Sequence, residues 1–235
     1  MKPLIIIPTY NEKDNIKTVV AEIKKYTPQS SILIVDDNSP DGTGMIANGI
    51  AATDDAISVL HRERKAGLGR AYTDAVKHVF NQVNQPDIIC WMDSDLSHNP
   101  CYLPDMFTLL RQCDIVIGSR YIKGGGVLNW PLQRKFLSWG GNLYARTISG
   151  LHIKDCTSGF VAFRASVLKE LDLSHFRAHG YSFLIETKSL CQKKRFRLQE
   201  YPIIFEERRE GSSKLSWNII FEALWVVWKM RFSFL

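Results

Sequence analysis

Five short, predominantly apolar runs alternate with helical patterns along the first half of the chain. These runs occupy residues 4–7, 32–35, 57–60, 88–92 and 115–117. Consecutive apolar positions predict strands that are covered on both faces, as in a parallel sheet. Between them, residues 11–26, 45–52 and 67–83 carry apolar side chains at helical spacing. The alternation predicts an α/β fold with a mostly parallel sheet flanked by helices.

The second half of the chain is less regular. Its predicted helices and strands occupy residues 132–149, 159–163, 181–193 and 197–205. Residues 123–130 contain three consecutive glycines and predict a mobile loop. We expect these elements to complete a single domain that spans residues 1–214.

Polar segments follow three of the predicted strands, at residues 8–12, 36–39 and 93–97. In an open parallel sheet, ligands bind beyond the carboxyl ends of the strands. The fold prediction therefore places these three segments along one edge of the sheet, where they form a single site.

The acidic pair Asp93 and Asp95 directly follows the fourth apolar run. Mg²⁺ and Mn²⁺ prefer oxygen ligands, commonly one or two carboxylates together with substrate phosphates. The pair therefore predicts a divalent metal site that offsets the charge of a leaving diphosphate. The alternative is an ordinary turn with solvated aspartates.

The other two segments suit a nucleotide. Tyr10 offers a ring beside a base, and Glu12 offers a carboxylate to a ribose or a base edge. Asn11 is placed to cap the following helix, and Asp37 to bind ribose hydroxyls. Capped turns without a ligand would use the same residue types.

Charge and composition limit the partners. The net charge of +6 and the pI of about 9.0 suit an anionic partner such as a nucleotide, a lipid phosphate or an acidic bilayer surface. Basic and acidic residues are interspersed, so we do not expect nucleic acid as a partner. The five cysteines are odd in number and lack metal-ligand spacing, which favours a reducing, cytoplasmic location.

Residues 215–235 form an apolar segment rich in tryptophan, with Trp217, Trp225 and Trp228. Tryptophan favours the bilayer interface, and the nearby Arg231 suits lipid headgroups. We expect an amphipathic helix here that holds the protein at the cytoplasmic face of a membrane. A helix packed on the domain or on a partner subunit is the alternative.

Seven motifs occur in order and span nearly the whole chain. They read PTYNE, VDDNSPDGT, MDSDLSH, GSRY, NWPLQRK, DCTSGF and GSSK. Together they resemble the dolichol-phosphate (polyprenol-phosphate) mannose synthase family, which comprises inverting family 2 glycosyltransferases with the GT-A fold. The resemblance implies a transferase that moves mannose from GDP-mannose to a polyprenyl phosphate, with Mg²⁺ or Mn²⁺ and with inversion.

The resemblance also implies roles for individual residues. The nucleotide would be bound by Pro8, Tyr10, Glu12, Val35 and Asp37, the metal by Asp93 and Asp95, and phosphates by Arg120, Arg134, Arg208 and Lys214. Of these, Asp95, Arg120 and Arg134 would be catalytic. The family often has an alanine between the two aspartates and a glutamine two residues after them; this chain has Ser94 and Ser97. The chain therefore departs from the family at the position of a third protein ligand to the metal, which a water would fill.

Other functions fit the sequence less well. A UDP-sugar donor is the alternative within the class, because the motifs do not identify the base. A nucleotidyltransferase usually needs a glycine-rich basic loop after the first strand, and a dehydrogenase needs G-x-G-x-x-G; the chain has neither there. A catalytically silent scaffold subunit would not need the intact pair Asp93 and Asp95.

Overall fold

The computed structural model describes residues 1–171, 173, 181–206 and 228. Its strands are β1 Pro3–Thr9, β2 Ser31–Asp36, β3 Ile57–His61, β4 Ile88–Trp91, β5 Ile115–Ser119, β6 Gly126–Leu128, β7 Val161–Arg164, β8 Leu198–Pro202 and β9 Ile204–Glu206. Its helices are α1 Ile16–Tyr26, α2 Thr43–Ala51, α3 Leu68–Phe80, α4 Leu103–Leu109, α5 Leu132–Ser149, α6 Ala165–Glu170 and α7 Tyr181–Lys193, with a 3₁₀ turn at Pro100–Tyr102.

Seven strands form one sheet in the order β3-β2-β1-β4-β7-β5-β8. Strand β7 is antiparallel to both of its neighbours, and the other strand pairs are parallel. Strands β6 and β9 pair separately as a two-stranded parallel ribbon. The mostly parallel sheet predicted from the sequence is confirmed.

Helices cover both faces of the sheet, as the doubly apolar strands require. Successive side chains of a strand point to opposite faces. Accordingly, Ile5 and Ile7 pack in the core on the side of α1 and α4, whereas Leu4 and Ile6 pack in the core on the side of α3 and α7. Cys90, in β4, is fully buried as part of this core.

The structure corrects several local predictions. Helix α1 begins at Ile16 rather than at residue 11, because Asn11 has a φ of 60° and its backbone N–H donates to Ser39 Oγ. Asn11 is therefore not the helix cap. The strand predicted at 197–205 is two strands, since Ile203 turns inward and pairs its backbone with Ser119 and Gly126.

The glycine-rich segment 123–130 is also more ordered than a loop, because it contains β6. A Cβ atom at Gly125 would lie only 2.4 Å from the carbonyl oxygen of Ser119, so only glycine fits there. The glycines therefore allow the chain to pass close to the end of β5 on its way into β6.

Residues 215–235, predicted to form a membrane-interface helix, lie outside the described residues except for Trp228, which is helical and half-exposed. Within the described part of the chain, every helix is too short or too polar to cross a membrane.

A cluster of aromatic rings fills the core between the sheet and helices α3 and α7. The ring centroid of Trp91 lies 4.4 Å from Tyr72, 4.6 Å from Phe163 and 5.5 Å from Phe183. All four side chains are almost completely buried. This packing joins the centre of the sheet to both helices beneath the acidic pair that follows β4.

We expect Trp91→Ala to lower the free energy of unfolding by about 3–5 kcal/mol, because it removes the central ring of this cluster and leaves a cavity. Chemical denaturation followed by far-UV circular dichroism measures the change. Val83→Ala is the matched control, since Val83 is 99% exposed. A loss no larger than that of the control would show that the cluster does not hold the core together.

Candidate active site

A cleft of about 430 Å³ opens at the carboxyl edge of the sheet. Its lining includes residues from all three predicted segments: Pro8, Thr9, Tyr10, Glu12, Asp37, Asp93, Ser94 and Asp95. Helix α5 and the loop at residues 157–159 complete the opposite wall. The structure therefore brings the three sequence-distant segments into one cavity.

The acidic pair lies on the floor of this cleft. Asp95 is buried, and its Oδ1 accepts hydrogen bonds from the backbone N–H of Ser97 at 3.1 Å and from the Ser97 hydroxyl at 2.5 Å. Asp93 is more accessible, with a side chain that is 34% exposed. Ser97, at the position where the resembled family often has glutamine, thus orients Asp95.

His98 holds the other aspartate. Its Nδ1 accepts the backbone N–H of Asp93 at 3.1 Å, and its Nε2 lies 3.8 Å from Asp93 Oδ2. The ring is buried and stacks on Phe160 at 5.1 Å between centroids. Because Nδ1 is an acceptor, the ring proton is on Nε2 and faces the carboxylate. No role was predicted for this histidine, which lies five residues after Asp93.

These residues fit a divalent metal that shares its coordination with a substrate. Two carboxylates at one point of the cleft are the protein ligands that Mg²⁺ commonly uses alongside phosphates and water. Among the residues described here, no group of three or more His, Cys, Asp or Glu side chains is placed to hold a metal. Asp93 and Asp95 would hold such a metal, with its other ligands supplied by a diphosphate and water.

One side of the cleft is lined by Tyr10, Glu12 and Asp37, the residues predicted to bind a nucleotide. Lys65 Nζ lies 3.8 Å above the ring of Tyr10, and Glu12 Oε2 accepts a hydrogen bond from Asn15. Lys65 was not predicted, because it lies in a loop distant in sequence from the motifs.

Asp37 is fixed by a chain of charges. Arg62 bonds Asp37 through Nη1 and Asp74 through Nε at 3.0 Å. Burial raises the pKa of Asp37, and the Arg62 guanidinium opposes that rise only in part. Asp37 thus keeps a fixed orientation at the wall of the cleft, as binding to a hydroxyl requires.

Val35 lies elsewhere than the family resemblance implied. Its side chain is completely buried within β2, packs in the core on the side of α3, and is not part of the cleft lining. In a strand the neighbouring side chains point to opposite faces, so a residue one step from the strand end need not reach the site.

Arg120 is held by a buried ion pair with Asp155. Its backbone N–H and Nε both donate to Oδ2, at 3.0 and 2.7 Å, and Nη2 donates to Oδ1 at 2.8 Å. Nη2 also donates to Thr157 Oγ1 at 2.9 Å. Burial opposes ionisation of Asp155, but the charges of Arg120 and Lys188 outweigh it and lower the pKa of Asp155. Arg120 is therefore an oriented cation at the wall of the cleft.

Arg134, on α5, lies next to Arg120 across the ring of Trp130. The guanidinium carbons of Arg134 and Arg120 lie 4.2 and 5.8 Å from the Trp130 ring centroid. The buried indole orients both cations through cation–π contacts. Both arginines line the cleft, as predicted, whereas Arg208 and Lys214 lie outside the described residues.

Asn142 is a further site residue that sequence reasoning missed. Its Oδ1 accepts the backbone N–H of Cys156 at 2.9 Å, and its Nδ2 donates to Thr157 Oγ1 at 3.1 Å. It thereby fastens helix α5 to the loop that carries Asp155. Asn142 and Ala145 are the two buried residues of α5, a feature of the fold that no pattern in the sequence indicated.

Comparison with known proteins agrees with this geometry. Residues 4–172 match the profile of Glycosyl transferase family 2. An undecaprenyl-phosphate mannosyltransferase from Micrococcus luteus is 41% identical over 224 residues, which cover 95% of this chain and 91% of the relative. A polyprenol monophosphomannose synthase from Mycolicibacterium smegmatis is 41% identical over 234 residues, covering 98% and 88% of the two chains.

Two solved structures share the fold. Glucosyl-3-phosphoglycerate synthase from Mycobacterium tuberculosis, in complex with phosphoglyceric acid, superposes with a TM-score of 0.68 at 19% identity, covering 97% of this chain and 79% of its own. A mannosyltransferase from Pyrobaculum calidifontis, in complex with GDP-Man and Mn²⁺, has a TM-score of 0.60 at 16% identity, with coverages of 99% and 73%. The sequence match and the shared GT-A fold show that this chain is a glycosyltransferase and belongs to glycosyl transferase family 2.

Proposed function

We propose that this enzyme transfers mannose from GDP-mannose to a polyprenyl phosphate, with a divalent metal and with inversion at the anomeric carbon. One observation carries the proposal: a single cleft holds the acidic pair Asp93 and Asp95 together with the cations Arg120 and Arg134. The names of the two relatives support mannose as the sugar and a polyprenyl phosphate as the acceptor. The mannosyltransferase bound to GDP-Man and Mn²⁺ supports the donor and the metal for this fold.

The acidic pair serves the leaving group. Asp93 and Asp95 would hold Mg²⁺ or Mn²⁺, which supplies positive charge to the departing nucleoside diphosphate. His98 and Ser97 keep the two carboxylates oriented, so the site is organised before the donor binds. Tyr10, Glu12 and Asp37 would bind the nucleoside at the other end of the cleft, and Arg208 and Lys214 would add phosphate contacts.

The two arginines serve the acceptor. A phosphate monoester is largely ionised at neutral pH, since its second pKa is about 6, and its oxygen attacks without a protein base. Arg120 and Arg134 would hold that phosphate through planar N–H donors, which match phosphate oxygens. Rate acceleration then comes from placing two anions together and from stabilising the leaving group.

A UDP-sugar donor is the second candidate. A further structure of the glucosyl-3-phosphoglycerate synthase, with Mg²⁺ and UDP, has a TM-score of 0.63 at 18% identity. The same fold therefore accommodates a uridine nucleotide. Assay of the purified enzyme with polyprenyl phosphate and either GDP-mannose or UDP-glucose separates the two, because only the true donor releases its nucleoside diphosphate.

A membrane surface is the proposed place of action, at its cytoplasmic face. The described part of the enzyme supports this through α5, where Leu132, Phe136, Trp139 and Leu143 form a stripe that is 47–72% exposed. Their spacing places them on one face of the helix, opposite the residues that line the cleft. Exposed Lys135 and Arg146 lie along one side of this apolar stripe, where they suit anionic headgroups. Residues 215–235 are proposed to add a second contact.

Asp95→Asn should abolish mannosyl transfer, with at least a hundredfold loss of kcat, because an uncharged amide no longer offsets the metal charge. Nucleotide release in the presence of Mg²⁺ or Mn²⁺ measures the effect, and thermal melting reports the fold. Asp55→Asn, at an exposed position far from the cleft, is the control. Turnover equal to that of the control would rule out a metal role for Asp95.

Replacing Phe136 and Trp139 together by serine should weaken binding to vesicles about tenfold or more, since both side chains are exposed and apolar. Sedimentation with anionic phospholipid vesicles measures the bound fraction. Val83→Ser removes an exposed apolar side chain elsewhere and should have no effect. Equal sedimentation of the double variant and this control would contradict a membrane role for α5.

A further inference from the structure

A lysine lies completely buried behind the wall of the cleft. Lys188, in the middle of α7, is 1% exposed, and its Nζ donates to the carbonyl oxygens of Cys156 at 2.9 Å and Ser158 at 2.6 Å. Lysine is rarely buried without a charged partner. No carboxylate among the described residues lies within ion-pairing distance of this ammonium group. Its position therefore calls for an explanation beyond packing.

The loop that Lys188 holds connects the two charged halves of the cleft. Asp155, at one end of the loop, fixes Arg120. Ser158 and Gly159, at the other end, line the cleft, and a Cβ atom at Gly159 would lie 3.7 Å from Asp93 Oδ1. By donating to the carbonyl oxygens of Cys156 and Ser158, Lys188 anchors the loop that contacts both Arg120 and the region of Asp93.

The charge of Lys188 is only distantly balanced. The groups that face it are Asp155 and Cys156 on the loop, Arg120 beyond β5, and Cys191 on its own helix. Burial raises the pKa of both thiols to about 12, so they are neutral. Asp155 is the one acid in this group, and it is already bonded to Arg120. Burial accordingly lowers the pKa of Lys188 to about 8, although Asp155 opposes the change.

We infer that Lys188 is a positioning residue for phosphate binding: it fixes the 155–159 loop, and its positive charge favours a phosphate anion in the cleft. The inference rests on the proposed function, since it assigns a phosphate ligand to that cleft. Linkage is reciprocal, so a bound phosphate must favour protonation of Lys188 as strongly as protonation favours binding. The phosphate is either the diphosphate of the donor or the monophosphate of the acceptor.

The pH dependence of transfer tests the charge. Wild-type kcat/KM should fall as pH rises through about 8, because the protonated form binds phosphate better. Lys188→Met should lower kcat/KM about tenfold at pH 7 and remove this alkaline decline. Lys188→Arg, which stays charged, should move the decline beyond pH 9. Lys194→Met, at an exposed position, should keep the wild-type profile.

A binding measurement separates the inference from the sugar transfer. Titration calorimetry at pH 8, in two buffers of different ionisation enthalpy, measures protons taken up when GDP with Mg²⁺, or farnesyl phosphate, binds. Wild-type protein should take up a fraction of a proton with at least one ligand, which identifies the phosphate that Lys188 senses, whereas Lys188→Met should take up none.

The results that test the role of Lys188 differ from those that test the proposed sugar transfer. The role of Lys188 would be overturned if GDP with Mg²⁺ and farnesyl phosphate both bind without proton uptake. It would also be overturned if kcat/KM of Lys188→Met still declines at alkaline pH, even if mannosyl transfer is confirmed. Proton uptake without sugar transfer from either donor would keep this inference and reject the proposed activity. Thermal melting shows whether Lys188→Met folds. If it does not, proton uptake by the wild-type protein and the pH dependence of kcat/KM for Lys188→Arg still test the inference.

Discussion

The buried ion pair between Arg120 and Asp155 is the interaction on which the wall of the cleft depends. Removing two charges from water is costly, and such a pair persists only where hydrogen bonds satisfy both groups. Here the carboxylate accepts three N–H groups of Arg120, and Thr157 accepts a fourth. Because the pKa of Asp155 is lower in the folded protein, the pair stabilises the fold above a pH of about 4 and loses that effect as the pH falls below it.

The antiparallel strand β7 explains how this pair reaches the active edge of the sheet. Ligands lie beyond the carboxyl ends of parallel strands, where Asp93 follows β4 after one residue and Arg120 follows β5 directly. The loop with Asp155 precedes β7 instead. Since β7 runs in the opposite direction, Val161 at its beginning pairs with Trp91 and Ile117 near the ends of those strands. One reversed strand thus adds a further polar segment to the same edge.

The sequence predicted those parts of the molecule that depend on local patterns. Doubly apolar runs located β1, β2 and β4, and the rule about strand ends placed Tyr10, Asp37 and Asp93 in one cleft. Interactions between segments that are distant in the sequence could not be predicted from these patterns. Nothing near Arg120 indicates a partner 35 residues away, and nothing near Lys188 indicates that its helix turns it toward the carbonyls of Cys156 and Ser158.

The misplaced predictions have physical reasons of the same kind. Asn11 is a good helix cap by composition, but the hydrogen bond from its backbone to Ser39 favours a left-handed conformation and delays the helix to Ile16. Val35 directly precedes the polar segment 36–39 in sequence, yet the strand turns its side chain into the core. In both cases a contact with another segment outweighs the local preference.

The opposed charges of the cleft separate the two anions that the proposed reaction brings together. Two phosphate groups repel each other strongly at short range, and low polarity increases that repulsion. In the proposed reaction the acidic pair accepts a metal with the donor diphosphate, and the arginines, with Lys188 behind them, accept the second anion. The 155–159 loop touches both regions. The cations therefore lie on one wall of the cleft, where their positive charge offsets the repulsion between the two phosphate groups.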